Sequence, residues 1–303
     1  MVRNVAPLMS ELELEDFHLL SGVEHGMRFS EWVNREKLPE LSGLTKEDVD
    51  YRLDRSLEHA LIERRTIQYE GYRLRFEGYD ALALHAFAER DTIESVGAPL
   101  GVGKESDVYE ARSYQPVALK FHREGITNFR KVSKERDYTS DSRHGSSLYT
   151  ARKAAEREYE LLLDLYPDVS VPRPEDQNRH AIVMERMDGV ELSRARVPEE
   201  QVTPVLDLIL REYGSAIERG SIHADLSEYN VFIDEDGITI FDWPQAVSVD
   251  HQNASELLER DVRNLVGHFE RKYPQKISGI DVPSLAVAIE NGAFTTVAEF
   301  SKR

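Results

Sequence analysis

Two aspartates and an asparagine are the residues of this sequence best suited to chemistry. Asp225 and Asn230 lie five residues apart in His223-Ala224-Asp225-Leu226-Ser227-Glu228-Tyr229-Asn230, and Asp242 follows in Phe241-Asp242-Trp243-Pro244-Gln245. Such a set suits phosphoryl transfer. Asp225 orients or deprotonates an attacking hydroxyl, while Asn230 and Asp242 hold magnesium against the phosphates. Val231-Phe232-Ile233 and Ile238-Thr239-Ile240-Phe241 read as strands joined by a turn at Asp234-Glu235-Asp236-Gly237. That hairpin would return Asp242 to the side of Asn230.

Upstream, Gly101-Val102-Gly103-Lys104-Glu105-Ser106-Asp107-Val108 is a glycine-rich loop between two strand-like runs, with Ser106 where a third glycine would stand. A Walker-type loop fails here, because the positions it requires hold Ala98 and Glu105. A dinucleotide fold would need a strand followed by a helix. A glycine loop on a β-hairpin is instead the kinase device for covering ATP phosphates. Val117-Ala118-Leu119-Lys120 then places a lysine where it would reach the α- and β-phosphates, oriented by a carboxylate of the next helix. Glu158 is the first choice for that carboxylate and Glu156 the second. The strand-like run at His180–Glu185 leads into Arg186-Met187, so Glu185 and Met187 would offer backbone groups to adenine, with Met184 behind them. His223 reads as a support for the loop around Asp225. None of the ten histidines has the His-Glu-x-x-His spacing of a zinc hydrolase.

The elements that must position these groups are preceded by a module of a different kind. Ser30-Glu31-Trp32-Val33 reads as a capped short helix, and Thr45-Lys46-Glu47-Asp48 opens a longer one with Val49, Leu53, Leu57, Ala60 and Leu61 on one face. Residues 66–76 alternate, with Glu70-Gly71 as the expected turn. With a first helical pattern begun by Leu12, Phe17, Leu19 and Leu20, three helices and a hairpin predict a winged helix-turn-helix. Its third helix is acidic, which argues against specific DNA reading, whereas the hairpin carries Arg64, Arg65, Arg73 and Arg75 and leaves contact with RNA or with protein open. A basic stretch runs from Arg123 through Arg130, Lys131, Lys134, Arg136 and Arg143, either a solvated loop or one that orders over phosphates. A helix is expected over residues 148–165.

Composition bounds the rest. The 303 residues are 40% hydrophobic, enough for a packed core, and include no cysteine, hence no disulfide or thiolate metal site. No apolar run of membrane-spanning length or signal-peptide character is found, so no membrane partner and a cytoplasmic setting are expected. The net charge of −18 repels nucleic acid except at local basic patches. It fits either a salt-rich cytoplasm or an ordinary acidic protein.

The glycine loop, the catalytic loop and Phe241-Asp242-Trp243-Pro244-Gln245 together resemble the RIO-type atypical serine/threonine protein kinases, in the second, winged-helix-containing subfamily. The resemblance covers nearly the whole chain and suggests an archaeal source, and the acidic composition leaves a halophilic one open. It implies an α+β chain: a winged helix at residues 1–92, a shortened bilobal kinase fold at 93–285 with lobes meeting near 185, and a tail or terminal helix at 286–303. The absent activation segment and peptide-binding subdomain agree with the lack of an Ala-Pro-Glu motif after Asp242. The implied site takes ATP with Mg2+ or Mn2+. Gly101, Gly103, Lys104, Glu105, Ser106, Val108, Lys120, Glu158, Met184, Glu185 and Met187 would hold the nucleotide, Asn230 and Asp242 the metal, and Lys120, Asp225 and Asp242 would carry the chemistry. The family further implies an aspartyl-phosphate at Asp242 and partners in the small ribosomal subunit precursor, both RNA and protein. An ATP-gated binding module with little turnover is the alternative.

Overall fold

The computed structural model describes residues 2–123 and 147–301. Most of the basic stretch, Arg130 to Arg143, therefore lies outside the described residues. The chain divides into two compact units: residues 1–156 with 175–184, and residues 157–174 with 185–303.

The first unit begins with helices α1 (Val2–Val5), α2 (Leu14–Met27), α3 (Leu38–Ser42) and α4 (Lys46–Glu58). Thr45 caps α4 by accepting from the Asp48 N–H at 3.2 Å, as its polar cap and acidic first turn require. Strands β1 (Val33–Asn34), β2 (Ile62–Arg65) and β3 (Gly71–Leu74) form a sheet in the order β1-β3-β2, and α5 (Phe76–Glu89) follows. Two local expectations are corrected. Trp32 and Val33 start no helix, because Val33 pairs with Tyr72 across β1 and β3. The wing is also displaced: β2 precedes the alternating run and Gly71 opens a strand instead of making the turn. Burial decides between the two registers. Ile62 and Leu74 are in the core, whereas Ile67, which suggested the alternation, is 73% exposed.

The same unit then carries a sheet of order β4-β5-β6-β8-β7, with β4 (Ser95–Val102), β5 (Ser106–Arg112), β6 (Pro116–His122), β7 (Pro174–Asn178) and β8 (Ala181–Glu185). Its apolar face, including Tyr109, Val117, Leu119, Phe121 and Val183, joins one core with α2, α4 and α5.

Helix α6 (Ser147–Leu165) and β8 each contribute residues to both units. The second unit adds β9 (Val190–Glu191), α7 (Val202–Glu218), β10 (Ser221–Ile222), β11 (Val231–Ile233), β12 (Ile238–Ile240), β13 (Val247–Ser248), α8 (Ala254–Lys272) and α9 (Val282–Glu290). Its core is the apolar faces of α7 and α8 closing on Trp243, Val231 and Ile240. Residues 243–253 alone separate Asp242 from α8, which leaves no length for a long activation segment. Among the described residues, no helix is long and apolar enough to cross a membrane.

Candidate active site

In the first unit, β4 and β5 form the expected hairpin. Gly101 pairs with Val108 and Val102 with Asp107, and the Gly103 N–H donates to the Ser106 carbonyl at 2.8 Å to close the tip. Lys104 and Glu105 lie exposed at that tip. A Cβ built on Gly101 would meet nothing within 4 Å among the described residues. Packing among the described residues therefore does not require glycine there. Lys120 sits on β6 opposite Val108, so the two side chains share a sheet face, and the lysine is buried. Met184, at the end of β8, is buried in this unit.

In the second unit, the Asp225 loop is held from behind. Asp261 on α8 accepts from the Tyr213 hydroxyl at 2.7 Å, from the Ala224 N–H at 2.8 Å and from the Leu226 N–H at 3.1 Å. The two backbone bonds bracket Asp225 and leave its side chain exposed. Arg260 donates to the Ala224 carbonyl, and the Asn264 amide to the Leu226 carbonyl at 3.1 Å. Burial pushes the Asp261 carboxyl up to about 6, against the hydrogen bonds that favour its charge. Sequence reading missed Asp261. Its signal was an acid inside the apolar stripe Leu258, Val262, Leu265, Val266 and Phe269.

Asn230 and Asp242 are brought together by β11 and β12. Val231 pairs with Ile240, and the Phe241 N–H donates to the Asn230 carbonyl at 3.0 Å. The Asn230 amide nitrogen donates to the Asp225 carbonyl at 3.1 Å. That commits its nitrogen inward, so its oxygen is the atom that could face a metal ion. One amide oxygen and one carboxylate form a hard-oxygen donor set of the kind magnesium takes.

The backbone here is strained. Ala224 and Asp242 have φ of 60° and 67°, the left-handed region that costs an alanine about 1 kcal/mol. Three contacts hold Asp242 in that conformation from its neighbours. The His223 ring lies 3.0 Å from the Phe241 carbonyl, the Trp243 indole donates to the Ile240 carbonyl at 3.1 Å, and the Trp243 N–H donates to Glu158 at 3.1 Å. Burial pushes the His223 ring below its ordinary pKa, so at neutral pH it is the uncharged donor to Phe241. Glu158 is buried, whereas Glu156 is spent on Arg152 and Lys153 at the helix surface. Glu185 is exposed and its N–H donates to the Arg173 carbonyl at 2.8 Å, with Met187 two residues on.

Two family models match the chain, the RIO domain over residues 107–282 and the Rio2 N-terminal domain over residues 9–90. The RIO-type serine/threonine-protein kinase Rio2 of Methanocaldococcus jannaschii is 39% identical over 267 residues, covering 86% of this chain and 98% of that one. This chain belongs to the Rio2 family. The rio2 kinase of Schizosaccharomyces pombe is 37% identical, over 88% of this chain and 79% of its own. The Rio2 kinase of Chaetomium thermophilum, solved as an ADP/Mg2+-phosphoaspartate complex, superposes with a TM-score of 0.76 at 30% identity, over 97% and 95% of the two chains. As a Rio2 relative, the chain is an atypical serine/threonine-protein kinase with a winged helix ahead of a shortened kinase fold.

In the Rio2 winged module here, the arginines of the wing are engaged by neighbours. Arg64, Arg73 and Arg75 pair with Glu70, Glu63 and Glu77 at 2.7, 2.7 and 3.3 Å, and Arg65 lies over Trp32 and Tyr69. Arg52 and Arg55 of α4 turn inward to the buried Asp16, leaving Glu47, Asp48, Asp54 and Glu58 exposed.

Proposed function

We propose that this Rio2 kinase transfers the γ-phosphoryl group of ATP to its own Asp242 and hydrolyses the resulting acyl phosphate, with serine or threonine as the alternative acceptor. The observation that carries the reading is Asp242 itself. It is held in a left-handed turn beside Asn230, and the Chaetomium thermophilum relative bears a phosphoaspartate together with ADP and Mg2+. Magnesium bound at Asn230 and Asp242 would neutralise charge on the β- and γ-phosphates. The glycine hairpin with Gly101, Gly103, Lys104, Glu105, Ser106 and Val108 would cover the phosphates and Lys120 would pair with them. Glu158 supports the turn at Trp243, and the chain at Met184, Glu185 and Met187 would receive adenine.

An oxygen of Asp242 attacks the γ-phosphorus as the bond to the β-phosphate oxygen breaks, and ADP leaves with the electron pair. Water then attacks the acyl phosphate while Asp225, exposed and aimed by its clamped loop, takes the water proton. Aspartate and inorganic phosphate are regenerated. The acidic face of α4 and the paired arginines of the wing favour a protein contact for the winged module over an RNA one. Docking on the small ribosomal subunit precursor rests on the family resemblance, and a cytoplasmic setting on the lack of a signal-peptide or membrane-spanning run in the sequence, together with the absence of cysteine.

Labelling with γ-radioactive ATP tests the scheme. A hydroxylamine-labile label should appear on the wild type and vanish in Asp242→Asn. In Asp225→Ala it should persist while steady-state turnover falls about 100-fold or more. An acid-stable label on serine would move the acceptor away from Asp242, and wild-type turnover in Asp225→Ala would remove that residue from the chemistry.

A further inference from the structure

Arg123, the last described residue before the basic stretch, does not belong to a solvated loop. It is 4% exposed, within a cluster of ionisable groups that includes Asp80 and His180 at 0% and Asp107 at 1%. Its guanidinium donates through Nη1 and Nη2 to the two carboxylate oxygens of Asp80 at 2.7 and 3.0 Å, and through Nε to Asp107 at 2.9 Å. Phe76 and Phe121 both lie 5.3 Å from the guanidinium carbon. The His180 ring sits 2.8 Å from Asp80, and the Arg123 backbone N–H donates to the Glu105 carbonyl at 2.7 Å.

Four of these partners come from two places in the sequence, while Phe121 lies on β6 and His180 precedes β8. Phe76 and Asp80 lie on α5, the last helix of the winged module, while Glu105 and Asp107 flank Ser106 at the glycine-rich tip. We infer that Asp80 and Arg123 are positioning residues for that tip: α5 fixes the Arg123 fork, and Arg123 fixes the hairpin backbone through Asp107 and the Glu105 carbonyl. Burying charges for stability alone is a poor bargain, because desolvation offsets the attraction. What a bidentate arginine supplies is geometry. The winged module then acts as the rear support of the phosphate-binding loop.

The inference rests on the proposal that residues 101–108 cover phosphates, and adenosine and ADP separate the two. Wild type should bind ADP with magnesium more tightly than adenosine; equal affinity would remove the phosphate-loop proposal itself. In Asp80→Asn, which keeps the shape but removes the negative charge and one of the two acceptors, ADP should bind about tenfold more weakly while adenosine affinity stays within about twofold. Asp107→Asn, a milder change, should act in the same direction. If a folded variant binds ADP as wild type does, or loses adenosine and ADP equally, the positioning role is overturned. Failure of both variants to fold at 25 °C also overturns it, since the cluster would then be a folding requirement and not a device for the loop.

Discussion

Each unit fastens one loop of the proposed site through a buried aspartate on a helix, and the two do it with opposite electrostatics. In the first unit Asp80 faces the Arg123 guanidinium. Burial alone would raise its carboxyl, but the His180 hydrogen bond and the arginine charge outweigh that and hold it below the usual range. In the second unit Asp261 meets two backbone N–H groups and a tyrosine hydroxyl, with Arg260 no nearer than 3.9 Å. There burial wins and the carboxyl rises to about 6. A cation next to the carboxylate decides the sign, whatever the depth. The glycine tip is therefore tied by an ion pair, and the Asp225 loop by a carboxylate compensated mainly by hydrogen bonds from neutral donors, with a weaker pull from Arg260.

Removing the second tie should have the largest effect. Asp261→Ala strands the Ala224 and Leu226 N–H groups and the Tyr213 hydroxyl, each in the interior. Leaving a buried donor unmade costs about 1–3 kcal/mol. The second unit should lose at least about 3 kcal/mol, read from its denaturant midpoint, and turnover should fall with it as Asp225 loses its aim. Stability within about 1 kcal/mol of wild type would show that water replaces the clamp and that the comparison has no force.

Acid should pull the two units apart. The folded pKa of Asp261 lies above its ordinary 3.8, so its contribution is most favourable below that value and declines as pH rises to about 6. Burial depresses His180 from 6.5 to about 4, against the pull of Asp80, so its contribution is complete above 6.5 and is lost as pH falls towards 4. Shifts of about two units correspond to roughly 3 kcal/mol each. From pH 7 to pH 4.5, calorimetry should show the first unit losing stability and the second gaining from these groups. His180→Asn should flatten the first trend and Asp261→Asn the second. Parallel trends that neither variant alters would refute the contrast.

Sequence legibility follows the same division between chemistry and support. Asp225, Asn230, Asp242 and the glycine hairpin could be read because the proposed phosphate chemistry prescribes their residue types and spacing, and the strands β6, β8, β11 and β12 because short apolar runs bounded by turns announce them. The supports could not be read so directly. Asp80 and Asp261 are acids on apolar helix faces, and their partners lie 43 residues away at Arg123 and 37 residues away at Ala224. Helix α5 went unread because its residues are apolar on most sides, as befits a helix buried in a core. Arg123 was grouped with a basic stretch, although its side chain is buried on Asp80 and Asp107. The wing was misplaced because the exposed Ile67 extended an alternation that the buried pair Ile62 and Leu74 overrides.

The smallest effect concerns the strain between the Asp261 clamp and Asp225. Ala224 is held at φ 60° with its N–H on Asp261 and its carbonyl taken by Arg260. Glycine adopts that conformation freely, so Ala224→Gly relieves about 1 kcal/mol in the folded state and returns about 0.5–1 kcal/mol to the unfolded chain. Stability should therefore change by less than about 1 kcal/mol in either direction. Turnover discriminates more finely. If strain at Ala224 serves only to let the clamp close, the glycine variant turns over as wild type does, because Asp261 still holds both flanking amides. If the Cβ also limits the loop around Asp225, turnover falls a few-fold with stability unchanged, a split that Asp261→Ala cannot show because it lowers both. Measuring the two variants side by side separates the hydrogen bonds from the backbone conformation as the agent that aims Asp225.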